Sequence, residues 1–454
     1  MSFEQADRCA NKNQNSGRLR CEAVPHPLKP EKTHHHAGDR PKNGGVKKML
    51  FARYVHYGKA QSMRLGLDIL LTQQRELLQG KKIGILSHQA SLNSQGKHII
   101  DLLTAEKKAW QVTTLFGPEH GVAGKAQYME PVESTTHTPS GLPLHSLYGK
   151  SLKNLSPTKA MLKNIDCLVI DLQDVGSRYY TYVWTALLCI EACGKNSKEV
   201  IVCDRPNPIN GVMLEGELNN KGYTSFVGLY PLPVRHGMTI GEIAHFINDT
   251  HDLGCNLKIV PMEGWHREWY WEETGLKWIN PSPNIRSPLQ ALLYPGMCLL
   301  EGTNISEGRG TDFPFELAGA PFIQPTKLIE ALGEFNLEGI EFAPAEFTPA
   351  SDQKLGGKLC KGVRFKVTDR KNFKPYATGL AFLWALYYLY NEEGFQWRFE
   401  PYEFIEDIPA VDLLTGGATV RQAIEKHLPL SELLEWVGNP PESFLKQIKP
   451  YLLY

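Results

Sequence analysis

Four short apolar runs, each stopped by polar or turn-forming residues, set the rhythm of the first half of the chain: 82–86, 112–116, 166–171 and 199–204. They are rich in Val, Ile and Leu and too short for ordinary helices, so they predict buried strands. The stretches between them carry helical spacing. Residues 65–71 open the folded part, 98–103 start a helix and 182–193 form another. Thr239 with Glu242 three residues later makes a capping box, and Ile240, Ile243, Ala244 and Ile247 form the apolar stripe behind it. Strands alternating with helices predict βαβ units and a parallel sheet, an α/β fold. Further on, 363–367 alternates like a half-exposed strand, while 379–389 and 419–427 read as helices. The Pro-rich step Asn280-Pro281-Ser282-Pro283-Asn284 marks a boundary. The expected segments are 1–62, 63–280 and 281–454. The first is polar, lacks aliphatic periodicity and is expected to be disordered or extraneous, with Met49 and Met63 as alternative starts.

The polar residues draw notice where the strands stop. A Rossmann-like sheet would bring four clusters to one edge: Ser87-His88-Gln89, Glu119-His120, Asp171-Leu172-Gln173-Asp174 and Asp204-Arg205-Pro206-Asn207-Pro208. In open α/β sheets, ligands bind outside the carboxyl ends of the strands. Glu119 stands in Gly117-Pro118-Glu119-His120-Gly121. It reads either as a general acid or base placed by a rigid turn, or as the cap of a surface turn. Arg178 and a neighbouring tyrosine could reach an anion or a hydroxyl, or Arg178 could pin a loop. Arg205 suits Asp204 or a substrate carboxylate, since a guanidinium makes planar paired contacts. Arg235-His236 precedes the capping box and reads as closing that helix entrance. The block from Glu301 to Thr311 is densest, and glycines at 302, 308 and 310 let backbone approach a ligand. Glu301, Asn304, Glu307 and Arg309 there suit carbohydrate hydroxyls and an anion. Five aromatic residues between Trp265 and Trp278 are read mainly as core, with one possible cleft residue.

Composition narrows the classes. Lys plus Arg and Asp plus Glu are both 49, so charge makes no case for nucleic acid or an anionic membrane. The nine cysteines are scattered, with no metal pattern and no disulfide framework. His34-His35-His36 is read as an accident of a polar segment. No run approaches a membrane span, and no secretory apolar region precedes the fold. The expected location is therefore cytoplasmic, with a periplasmic or secreted location as the alternative. No dinucleotide fingerprint, P-loop or G-x-S-x-G elbow accompanies the strands.

Taken jointly, these blocks resemble one family. The Gly117–Gly121 turn, Asp171 to Gly176, Asp204 to Pro208, Pro233 to Thr239, Leu300 to Thr311, Pro314-Phe315-Glu316 and the terminal Pro450-Tyr451-Leu452-Leu453-Tyr454 stand in that family's order. It is the exo-β-N-acetylmuramidases of the NamZ type, first catalogued as a bacterial domain of unknown function (DUF1343). The resemblance runs from about residue 64 to the end. It implies a Rossmann-like domain, a smaller C-terminal α/β domain and an active-site cleft between them. It implies a glycoside hydrolase that releases N-acetylmuramic acid from non-reducing ends of peptidoglycan fragments, without cofactor or metal. MurNAc-GlcNAc saccharides are the expected partners, with no nucleic acid and no membrane; oligomeric state stays open.

Glu119 is that family's favoured catalytic residue, and Asp171, Asp174 and Glu307 are candidates for its partner. Expected substrate contacts are His120, Gln173, Arg178, Tyr180, Asp204, Arg205, Asn207, Asn304 and Arg309. Arg178, Arg205 and Arg309 are the candidate readers of the lactyl carboxylate. The family turn usually continues with an aromatic and a basic residue, whereas here Val122-Ala123-Gly124 follows. The alternatives are a two-lobed, non-enzymatic muropeptide or sugar binder, or another Rossmann-like hydrolase.

Overall fold

The predicted strands appear as β1 (Lys82–Ser87), β2 (Gln111–Gly117), β5 (Cys167–Asp171) and β6 (Glu199–Cys203). Three more complete their sheet: β3 (Thr135–His137), β4 (Leu142–Ser146) and β7 (Leu257–Val260). This computed structural model describes residues 63–122, 135–149 and 151–454. The segment 1–62, with its triple histidine and Met49, and the pair Ala123-Gly124 lie outside the described residues.

The sheet runs β3-β4-β2-β1-β5-β6-β7, parallel throughout except where β3 pairs antiparallel with β4. Setting β3 aside, the six parallel strands stand in the doubly wound order 3-2-1-4-5-6 of dinucleotide-binding folds. The chain steps outward on one side of β1, then returns to build the other side from β5. Alternation within the strands explains why both faces are covered. Ile83, Ile85, Cys167, Val169, Ile201 and Cys203 fall in one buried cluster with Leu67, Leu70, Ile99 and Leu103, from the helices Gly66–Thr72 and Ile99–Ala105. Leu168, Ile170, Val200 and Val202 fall in another, with the helices Tyr182–Lys195 and Ile240–Thr250. Successive strand residues point to opposite faces, so uninterrupted apolar runs need helices on both sides.

The capping box forms as expected. The Thr239 hydroxyl accepts from the Glu242 amide at 3.2 Å, and Glu242 Oε2 accepts from the Thr239 amide at 3.0 Å.

A three-stranded antiparallel sheet follows in the order β8 (Leu317–Ala320), β10 (Cys360–Val367), β9 (Ile340–Phe347). The helices Pro288–Met297 and Pro375–Tyr390 cross here with backbones in contact. A Cβ on Gly296 would lie 2.1 Å from the Pro375 carbonyl oxygen, and one on Gly379 would lie 2.5 Å from the Gly296 carbonyl oxygen. Any side chain at either position drives the helices apart. The described residues, from Met63 onward, fall in one compact unit. Among the described residues, no helix is long and apolar enough to cross a membrane.

Candidate active site

The β2 strand ends at Gly117, and Pro118 to Gly121 form a tight turn closed by a 2.9 Å bond from the Gly121 amide to the Pro118 carbonyl. His120, third residue of that turn, has φ +67°, and Gly121 follows at +74°. Glycine ordinarily takes such a position. The strained turn aims Glu119 across the start of the helix Tyr182–Lys195. Thr181, the residue before that helix, does not cap it with its side chain. Its hydroxyl instead donates to Glu119 Oε2 at 2.7 Å. The Tyr182 hydroxyl lies 3.2 Å from the Glu119 carbonyl oxygen and 2.9 Å from that of Pro281. Glu119 is only 4% exposed, and its Oε1 has no hydrogen-bond partner at bonding distance among the described residues. An unpaired oxygen on a buried, otherwise anchored carboxylate is costly, and such atoms are uncommon away from sites that a ligand completes.

That oxygen belongs to a residue lining a small cavity beside the turn. Tyr179, Tyr180, Tyr182, Tyr294 and Phe315 form much of its wall. Their rings interlock edge to face: Tyr180 to Tyr294 at 5.9 Å, Tyr179 to Tyr294 at 5.8 Å and Tyr294 to Phe315 at 5.0 Å. Burial pushes the phenols of Tyr179, Tyr180, Tyr182 and Tyr294 upward, so they remain neutral hydroxyls. Two further carboxylates, Glu301 and Glu403, line the same space with His120, Arg309 and Tyr402.

Glu301 arrives by an irregular route. Pro295 lies in the helix Pro288–Met297, which tightens into a 3₁₀ turn over Cys298–Gly302. Both carboxylate oxygens are engaged: Arg309 donates to Oε1, and the Tyr402 hydroxyl donates to Oε2 at 2.9 Å. Arg309 Nε also stands 3.5 Å from Glu307, which accepts from Lys354 Nζ at 2.8 Å. Burial opposes the charge on Arg309, but Glu301 and Glu307 outweigh it and raise its pKa. Burial likewise opposes ionised Glu307, and there Lys354 and Arg309 prevail and hold its pKa below the ordinary value. Beyond the Glu301–Arg309 pair lies a second, open groove lined by Glu307, Asn304, Lys354 and Trp397.

The expected residues thus divide. Glu119, His120, Tyr180 and Arg309 meet in the tyrosine-walled cavity. Glu307 and Asn304 lie in the open groove, where Asn304 also bonds the backbone of Gly394 and Gln396. Asp171 does not line the cavity. It is fully buried, and both its oxygens accept from Arg205, at 2.5 Å and 2.8 Å. Asp174 Oδ2 holds the Gly176 amide at 2.7 Å and faces His236 Nε2 at 3.1 Å. Arg178 is spent on the carbonyls of Glu217, Leu232 and Leu414, at 2.7–2.8 Å.

Asp204 takes the Gly241 amide and the hydroxyls of Thr239 and Tyr454, which fixes the next helix and the docked C-terminal residues. Burial, then the charge of Glu242, pushes its pKa up to about 6. Asn207 ties Met238 to Ile209. Gln173 and Arg205 face a separate hollow beside Trp271. His88, from the first strand end, accepts from the Gln173 amide at 3.0 Å through Nε2. Burial, then Arg205, lowers its pKa to about 3, so it is neutral. Among the described residues, no group of three or more His, Cys, Asp or Glu could hold a metal ion.

Glu403, Thr181 and Tyr402 were not singled out from sequence. The one available signal for Glu403 was an acid set between two aromatic residues after Pro401.

The family models of the exo-β-N-acetylmuramidase NamZ match this chain in two parts, the N-terminal model over residues 83–289 and the C-terminal model over 292–454. The cavity takes Glu119 and Tyr180 from the first part and Tyr294, Glu301, Arg309 and Glu403 from the second. The chain is 41% identical over 396 residues to the peptidoglycan β-N-acetylmuramidase NamZ of Bacillus subtilis, covering 87% of this chain and 92% of that protein. It is also similar to two crystal structures of DUF1343 family proteins from Bacteroides fragilis. Their TM-scores are 0.77 and 0.66 at 30% and 28% identity, covering 86% and 87% of this chain and 99% of each of theirs.

Proposed function

The chain belongs to the exo-β-N-acetylmuramidase NamZ family, and on that footing we propose that it hydrolyses peptidoglycan fragments, releasing N-acetylmuramic acid from their non-reducing ends. The observation that carries the mechanism is the Glu119 carboxylate: anchored through Oε2, unpaired at Oε1 and set in a cavity walled by tyrosines. Glu119 in its acid form gives a proton to the glycosidic oxygen as the bond to the anomeric carbon breaks. Water then adds at that carbon and returns a proton to Glu119.

The aromatic wall suits the apolar face of a sugar ring, and its neutral hydroxyls suit the polar edge. Of the three arginines considered for the lactyl carboxylate, Arg309 is the one lining this cavity. It is the reader in this proposal. The fragments expected as substrate carry MurNAc β-1,4-linked to GlcNAc.

The test is hydrolysis of MurNAc-β-1,4-GlcNAc, with GlcNAc-β-1,4-MurNAc as control, by the native protein and by Glu119→Gln. Free MurNAc from the first substrate alone, lost in the variant, is the expected result. Cleavage of the control instead, or near-normal turnover by Glu119→Gln, would sink the assignment.

A further inference from the structure

We infer that the crevice where the parallel sheet reverses its strand order is a second binding site, built for a small monocarboxylate that carries a neutral N–H or O–H donor beside its charge. It stands apart from the catalytic cavity: among the described residues, none lines both spaces. From β1 the chain steps to β2 on one side and later returns to lay β5 on the other. The helix that follows β1 packs in the cluster on one face of the sheet, and the helix that follows β5 packs in the cluster on the opposite face. Their connections therefore part at the carboxyl edge, and ligands of doubly wound sheets bind in the opening so formed. Here Leu92 and Ser94 come from the β1 connection, Gln173 from the end of β5 and Arg205 from the end of β6, with Trp271 and Lys277 completing the wall.

Gln173, Trp271 and Arg205 are all more than nine-tenths buried, and each keeps a polar atom outside the protein's own bonds. Gln173 Nε2 donates to the carbonyls of Asp174 and Pro206, at 2.8 Å and 2.9 Å, while its Oε1 has no hydrogen-bond partner at bonding distance among the described residues. Trp271 Nε1 likewise has none. Arg205 spends Nε and Nη2 on Asp171 and on the Leu92 carbonyl, and those bonds leave Nη1 over. Buried polar atoms without partners are uncommon, and three such residues on one hollow call for a ligand. Lys277, exposed at the rim, adds a positive charge, and no Asp or Glu is among the described residues lining the hollow. Two acids bond lining residues without lining it themselves: Asp171 holds Arg205, and Asp68 accepts from the amides of Leu65 and Ser94.

These groups specify the ligand. Arg205 Nη1 and the Trp271 indole are donors, and with Lys277 beside them they suit an anion. Asp171 already balances Arg205, so a single negative charge fits where a dianion would go unmatched. Gln173 Oε1 is an acceptor and needs a hydrogen from the ligand beside that charge. A neutral hydroxyl or amide supplies it, since no acid lines the hollow to receive an ammonium. Leu92, Leu276 and Ile279 take a small apolar group. An N-acyl amino acid, a 2-hydroxy acid and the lactyl arm of a muramic sugar with its acetamido N–H all share this chemistry.

The test titrates the full chain with N-acetylalanine by calorimetry, beside its uncharged amide, alanine and inorganic phosphate. Saturable binding with Kd of about 1 mM or tighter is expected for a ligand of this size. The amide, alanine and phosphate should each bind at least about tenfold more weakly. Trp271→Phe removes the indole N–H and keeps a ring, and Lys277→Glu reverses an exposed charge; each should weaken N-acetylalanine about three- to tenfold. Gln173→Glu should abolish binding, and if that variant does not fold, the exposed Lys277→Glu decides. Competition by MurNAc but not GlcNAc would put a sugar's lactyl arm in the crevice, and competition by lactate but not MurNAc would put a free acid there; both support the site. No saturable binding up to about 10 mM, equal binding of the amide or of phosphate, or binding that Trp271→Phe and Lys277→Glu both leave unchanged would overturn the inference. The readout is binding rather than turnover, so a protein that fails to cleave MurNAc-GlcNAc would remove the muramidase reading and leave this one to its own result.

Discussion

Two polar clusters stand on the same edge of the parallel sheet and use their hydrogen-bonding capacity in opposite ways. At the ends of β5 and β6, Asp171 gives both oxygens to Arg205, and Asp204 gives both to a helix start and the docked C-terminal residues. At the end of β2, Glu119 gives one oxygen to Thr181 and keeps the other toward a cavity. Residue type and strand position are alike. What differs is the second half of the chain, from which Tyr294, Arg309 and Glu403 wall off a space beside Glu119. A buried carboxylate matched by a guanidinium holds the fold, whereas one left short of a partner waits for a ligand.

The sharpest way to break this contrast is to exchange the two acids' expected phenotypes. Glu119→Gln should lower kcat about 10²–10⁴-fold while the unfolding transition stays close to native. Asp171→Ala should do the reverse. Stranding Arg205 should cost about 3–5 kcal/mol in chemical denaturation, with kcat of the folded fraction retained. A stable but inactive Asp171 variant would erase the distinction. A smaller effect is expected at Thr181→Val, which removes the hydroxyl on Glu119 Oε2. A hydrogen bond to a charged group is worth about 1.5–3 kcal/mol, so steady-state kinetics should show a loss of about ten- to a hundredfold.

The smallest effect is a slope with pH. His88 titrates near 3 when folded and near 6.5 when unfolded, so its contribution to stability is present above 6.5 and lost as pH falls toward 3. Asp204 has the opposite sign. Its folded pKa of about 6 against an unfolded 3.8 makes the fold gain stability as pH falls through that window. Between about pH 4 and 6 the two oppose each other. His88→Gln should unmask the Asp204 slope, about 1 kcal/mol per pH unit, as stability that rises on acidification. Denaturation curves across pH 4–7 that keep the native pH dependence in His88→Gln would count against this account.

The contrast also explains what the sequence made legible. Strand ends announce themselves, because an apolar run that stops at Gly-Pro or at an acid has a period and a boundary. The capping box at Thr239 is a local pattern and formed as written. Glu403 has no such signature: its place depends on two left-handed residues and a loop folding back across almost three hundred residues of chain. Glu301 and Glu307 sit in one loop, and nothing in their spacing says which faces the cavity. Arg309 decides that by lying between them. Strand β4, second from the edge of the sheet and with Pro143 inside it, carries no apolar run at all.

The left-handed backbone at His120, Phe315 and Glu403 places three of the nine such non-glycine residues among the described residues on one cavity. This has a consequence for anyone redesigning the protein. A sequence chosen for its fit to this backbone alone would write glycine at all three positions and relieve about 1–3 kcal/mol of strain at each. The result would lose an imidazole, an aromatic wall and a carboxylate together, and at Phe315, a buried core ring against Tyr294, the lost packing would outweigh the strain relieved. Thermostability screens and activity screens should therefore part at His120 and Glu403 and agree at Phe315, which makes the first two the places where the demands on the chain can be separated by experiment.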